Sequence, residues 1–115
     1  MSNAPDRYEK FVVPEGVLKI DYQKDTKLDN SGTFVIQRED HTIGNMLRTQ
    51  LHRDSDVIFA GYKIPHPLEY QMLIRVRTSG KKPPAVAVQG ALTDLKEELS
   101  GLKFQFQQQA GMMQQ

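Results

Sequence analysis

Six apolar residues in the last third of the chain fall on one line. Val88, Leu92, Leu95, Leu99, Leu102 and Phe106 follow one another at intervals of 4, 3, 4, 3 and 4, the a/d repeat of a helix that packs lengthwise against another helix. A helix over residues 84–108, opened by Pro83 or Pro84, would be about 37 Å long. The strands that the preceding sequence predicts are shorter, about 20 Å for six residues. The helix must therefore overhang any sheet these strands build, and the overhanging stripe needs a second surface. Six such side chains are worth on the order of 9–18 kcal/mol when fully buried, more apolar surface than a soluble monomer usually leaves in water. Burial against a partner is favoured over the alternative, a shorter helix that crosses the sheet and frays from residue 105. Gly90 and Gly101 oppose a strong isolated helix, at about 1 kcal/mol each.

Ahead of that helix the apolar pattern changes period twice. Residues 17–22 alternate, with Leu18, Ile20 and Tyr22 on one side, as a half-buried strand does. Residues 23–32 are rich in Asp, Asn, Lys and Gly and predict a loop. Residues 33–37 are β-branched and aromatic, a second strand. Ile43, Met46, Leu47 and Leu51 then lie on one helical face, with Asp40 or Thr42 as N-cap and residues 54–56 as its end. Residues 57–62 predict a third strand, broken by Pro65 and Pro67. Residues 72–78 predict a fourth, with Met72, Ile74 and Val76 inward and Leu73, Arg75 and Arg77 outward. The fold class is α+β: roughly four strands in a sheet backed by two helices. The 115 residues amount to a single domain over 1–115, with a polar arm at 1–10 and a loosely ordered, Gln-rich tail at 108–115.

Several chemistries are excluded or weakly supported. There is no cysteine, so disulfides and thiolate metal sites are excluded. A net charge of +1 gives no general attraction to nucleic acid or anionic membrane. No apolar run approaches the roughly 20 residues of a membrane span, and a soluble intracellular protein is expected. Asp40-His41 suggests half a catalytic dyad, but a triad is recognised by geometry rather than adjacency, and a helix-start role is favoured. His41, His52 and His66 lack zinc-ligand spacing. No glycine pattern for nucleotides is present, and Asp21, Asp25 and Asp29 lack the glycine and glutamate of a calcium loop. Arg75, Arg77, Lys81 and Lys82 form a small basic patch, without the stacking aromatics of an RNA-reading sheet on that strand. No catalytic residue, cofactor or metal is expected.

The run Glu39-Asp40-His41-Thr42-Ile43-Gly44-Asn45-Met46-Leu47-Arg48 resembles the signature of the α-type subunits of cellular RNA polymerases. Residues 59–69 are similar to the eukaryotic small α-like subunits. Residues 3–9 with Phe11 are similar to the polymerase II member rather than to the one shared by polymerases I and III. The resemblance covers about residues 3–104. It implies a sheet-and-two-helix fold of the α-subunit dimerisation type, with Asp40, His41, Thr42, Gly44, Asn45 and Arg48 as family motif. It also implies a nuclear, non-catalytic assembly subunit that pairs with the larger α-like (third) subunit. That pair is the platform for the large catalytic subunits, which perform nucleotidyl transfer in mRNA transcription. The interface residues expected are Ile43, Met46, Leu47, Leu51, Leu92, Leu95, Leu99, Leu102 and Phe106. Direct sequence-specific contact with nucleic acid is not implied. The bacterial signature continues with a second Arg that helps contact a large subunit; Thr49 stands here instead, so that contact is not carried over. The same role in polymerase I or III, a free-standing nucleic-acid-binding module, and a small enzyme using Asp40-His41 are the alternatives.

Overall fold

The computed structural model describes Tyr8 and residues 11–113. Four strands and two helices follow in the order β1 (Ile20–Lys24), β2 (Ser31–Gln37), α1 (His41–His52), β3 (Val57–Lys63), β4 (Gln71–Thr78) and α2 (Pro84–Met113). The strands form one antiparallel sheet in the order β1-β2-β4-β3. The α+β class expected from the sequence is the one observed. The polar arm expected at 1–10 lies, except for Tyr8, outside the described residues.

The core follows from the alternation of β4. Met72, Ile74 and Val76 are fully buried and face the helices, flanked in register by Ile36, Phe34 and Gly32 of β2. Tyr62 and Ala60 of β3 stand opposite Ile74 and Val76 on the same face. Leu47 and Leu51 of α1 pack onto this layer, and Ala87, Val88 and Ala91 of α2 close it. The opposite face carries Val35, Leu73, Arg75 and Arg77, together with Phe59, an exposed aromatic in register with Arg77.

The connections fix where α1 begins. Arg38 ends β2 in the left-handed region at φ 57°, a conformation that costs a non-glycine residue about 1–3 kcal/mol. Its N–H donates to Tyr70 O at 2.6 Å and its Nε to Val12 O at 3.1 Å. The chain then turns at Asp40, whose Oδ1 accepts the N–H of Thr42 at 3.0 Å. Asp40, not Thr42, is the N-cap of α1, because its backbone is extended and its carboxylate reaches an otherwise unsatisfied donor.

Three expectations are corrected. First, β1 spans residues 20–24 rather than 17–22, and it is exposed along its length rather than half-buried. It is an edge strand, and α1 and α2 lie toward the other edge of the sheet, over β3 and β4. Second, the loop expected at 23–32 contracts to residues 25–30. The Asp25 carboxylate accepts the N–H groups of Lys27 and Leu28 at 2.8 and 3.2 Å, and Asn30 turns the chain at φ 59°. That side-chain closure of the hairpin lets both strands run up to the turn. Third, α2 does not end at 108 but continues to Met113, so the part of the Gln-rich tail described is helical. Glutamine is a good helix former, and the sequence has no proline beyond Pro84 to stop the helix.

Candidate dimerisation interface

The apolar stripe of α2 leaves the chain's own core after about two turns. Val88 is 5% exposed, Leu92 41%, Leu99 54%, Leu102 61% and Phe106 74%. Leu95 is partly buried and packs against the core. Thirty residues make α2, so it is about 45 Å long, against about 27 Å for the eight residues of β4. The overhang expected from the sequence is present and is longer than expected. Met113, seven residues beyond Phe106, keeps the repeat, with Gln109 at the position between them, so the helical face of the stripe continues to the last described turn.

Beside the stripe runs a groove of about 360 Å³. Ile43, Met46 and Leu47 form its α1 wall, Leu92, Leu95 and Leu99 its α2 wall, and Lys96, Ser100 and Lys103 complete the lining. Apolar walls bordered by charge suit a protein partner: the centre gains from burial while the margin stays solvated. Two ion pairs join the end of α1 to α2 and to the residues just ahead of it. Arg53 at the end of α1 bonds Glu98 of α2 at 2.9 Å. Asp54 pairs with Lys82 just ahead of α2. The Lys82 ammonium, by hydrogen-bonding to Asp54, holds that carboxyl below its usual range, and the same bond raises Lys82.

The residues expected at the interface divide by depth. Ile43, Met46, Leu92, Leu95 and Leu99 line the groove, and Leu102 and Phe106 extend it along the free helix. Leu47 forms the groove floor and is 1% exposed. Leu51 is fully buried in the core, so it supports the interface from beneath and is not part of its surface. Eight residues separate it from Ile43, which turns it toward the sheet rather than the groove.

The motif residues form a cluster around one aromatic ring. His41 Nδ1 lies 3.0 Å from the Tyr62 hydroxyl, with the rings edge to face at 5.7 Å. The Arg48 guanidinium sits 5.9 Å over the same ring and donates to Asn45 Oδ1 at 2.8 Å. Gly44 faces Tyr62 and Met72. Asp40 is engaged with the Thr42 backbone and His41 with Tyr62, so the two do not form the hydrogen-bonded pair of a catalytic dyad. Tyr62 is the organiser that the sequence reading missed. Its position on β3 bears no periodic relation to residues 41–48, and only folding brings it beneath them. Among the described residues no group of three or more His, Asp or Glu could hold a metal ion. Nor, among the described residues, is any helix long and apolar enough to cross a membrane.

A sheet covered on one face by two helices, one of which carries its apolar seam past the sheet, is the architecture of a dimerisation module. The chain belongs to the RNA polymerase Rpb3/Rpb11 dimerisation domain family, which it matches over residues 31–105. Among curated relatives it is 47% identical over 107 residues to DNA-directed RNA polymerase II subunit rpb11 of Dictyostelium discoideum, covering 93% of this chain and 89% of that one. It is 38% identical over 104 residues to DNA-directed RNA polymerase II subunit RPB11 of Schizosaccharomyces pombe, covering 90% and 84%. Among solved structures it is similar to DNA-directed RNA polymerase subunit L of Thermoplasma acidophilum, with a TM-score of 0.65 and 27% identity over 80% of this chain and 90% of that one.

Proposed function

We propose that this chain is the smaller α-like, non-catalytic subunit of a nuclear DNA-directed RNA polymerase II. It pairs with the larger α-like (third) subunit, and the pair is the platform for the large catalytic subunits. The observation that carries this reading is the outward gradient of exposure along the α2 stripe. A row of apolar side chains that starts in its own core and is more than half exposed from Leu99 onward is half of an interface. Family membership supplies the kind of partner, and the relatives named for polymerase II favour that enzyme over polymerases I and III. Ile43, Met46, Leu92, Leu95, Leu99, Leu102 and Phe106 form the contacting surface, with Leu47 and Leu51 holding it from below.

Leu99 gives the cleanest test. It is more than half exposed, so Leu99→Asp leaves the chain's own core intact. In the pair it would bury an unpaired charge, at a cost of several kcal/mol. Co-expressed third subunit is expected to co-purify with the wild-type chain and to be lost with Leu99→Asp. Undiminished co-purification with the variant would remove the seam from the interface. Purification of the tagged chain from its own cells identifies the machine: polymerase II large subunits are expected, and polymerase I or III subunits would change the assignment while keeping the role.

A further inference from the structure

The face of the sheet turned away from the helices carries an apolar centre between two free cations. Val57 pairs with Thr78 and Phe59 with Arg77, so Ile58 is an extra residue in β3, a bulge. The bulge turns Phe59 to the side of Arg77, and its ring lies along the strand: a Cβ added at Gly61 would meet Phe59 Cζ at 3.1 Å. Phe59 remains 50% exposed. Two grooves meet at this ring. One, of about 300 Å³, runs between Leu28, Ile58 and Arg77 and is floored by Ser31. The other, of about 480 Å³, runs past Gly61 to Lys63 and Leu73. Arg75 borders both grooves and pairs with Asp25 at 3.0 Å. Among the described residues neither Arg77 nor Lys63 has an ion pair. Ser31 stands in register with Arg77 and is 2% exposed, and its hydroxyl has no hydrogen-bond partner among these residues.

We propose that this face docks an extended acidic segment of a partner protein, with two carboxylates four residues apart and an apolar side chain midway between them. The surface lies across the sheet from α1 and α2 and is independent of the pairing proposed above. Lys63 lies four residues along β3 from Phe59, the residue opposite Arg77, which is about 13–14 Å. In an extended peptide, residues i, i+2 and i+4 share one side and span the same distance. The first carboxylate meets Arg77, the apolar side chain lies on the Phe59 ring above Gly61, and the second carboxylate meets Lys63. Arginine offers a carboxylate two parallel donors, and the unmet hydroxyl of Ser31 stands at the same end, where an acceptor is wanted. A single-stranded nucleic acid fits this face less well. It needs successive aromatic platforms for its bases, and among the strand residues Phe59 is the only aromatic turned to this side.

The test is fluorescence anisotropy with the full chain, in its pair with the third subunit where that forms. The probe is a fluorescein-labelled peptide with the core Glu-Thr-Leu-Thr-Glu. Saturable binding in the micromolar range is expected. Arg77→Glu and Lys63→Glu are each expected to weaken it at least tenfold, and Phe59→Ala and the milder Arg77→Gln at least threefold. Lys24→Glu, in register with Gly32 on the helix-bearing face, is expected to leave it within twofold. Moving the second Glu of the peptide by one position turns that carboxylate to the other side of the extended chain and is expected to weaken binding at least fivefold. No binding at millimolar peptide would overturn the assignment, as would equal binding of the shifted peptide or an equal loss with Lys24→Glu. Tighter binding of a uridine decanucleotide, lost with the same variants, would also overturn it and make the face a nucleic-acid site.

Discussion

Gly44 lies against Tyr62 so closely that a Cβ added at residue 44 would meet Tyr62 Cδ2 at 2.5 Å and Met72 Sδ at 2.7 Å. The second turn of α1 thus rests directly on β3 and β4, which sets the height of the groove wall formed by Ile43, Met46 and Leu47. Gly44→Ala is expected to destabilise the fold. Overpacking costs about 1–3 kcal/mol, and the better helix propensity of alanine returns about 1 kcal/mol. Gly90→Ala meets nothing within 4 Å and is expected to stabilise by about 0.5–1 kcal/mol. Urea unfolding of the two variants beside the wild type measures both signs.

The depth of each leucine on the two helices predicts which property it controls. Leu51→Ala is expected to cost about 2–5 kcal/mol of folding stability, because it empties a fully buried site. Leu102→Ala is expected to leave the melting of the isolated chain almost unchanged, within about 0.5 kcal/mol. It should weaken pairing by about 1–3 kcal/mol, roughly 5- to 150-fold in Kd. Thermal melts and titration calorimetry separate the two.

Asp54 and Lys82 make stability depend on pH at both extremes. The hydrogen bond from Lys82 lowers the Asp54 carboxyl. Its contribution is therefore complete above the free-aspartate value of about 3.9 and is lost as pH falls through its lower folded value. The bond from Asp54 raises Lys82, whose contribution is complete below about 10.4 and is lost as pH rises through its higher folded value. The pair should add on the order of 0.5–1 kcal/mol across the neutral range. Lys82→Met is expected to flatten the acid limb below about pH 4, as measured by urea midpoints against pH.

The N-cap is a further test of α1. Asp40→Ala removes the acceptor for the Thr42 N–H and is expected to cost about 0.5–2 kcal/mol. Asp40→Asn and Asp40→Ser should restore most of this loss, because each keeps a capping oxygen. Recovery with these two variants in thermal melts distinguishes a capping role from an acid–base role for the carboxylate.

Local pattern determined much of this protein. The 4-3 spacing from Val88 to Phe106, the alternation from Met72 to Thr78 and the Asp40 helix start are written in neighbouring residues, and they survive folding because each depends on backbone period alone. The motif at residues 39–48 carried the family resemblance for the same reason: it is contiguous. Period states which face of an element is apolar but is silent on what covers it. Only the tertiary structure decided that Val88 is core and Leu102 is surface on the same stripe, that Leu51 faces inward, and that the apolar side of β1 lies beyond the helices. Tyr62 beneath His41, Gly44 and Arg48 was likewise invisible in the sequence, because residues some twenty positions apart meet only when α1 settles on β3. Burial depends on the positions of every neighbouring element at once, and that information exists only after the chain has closed on itself.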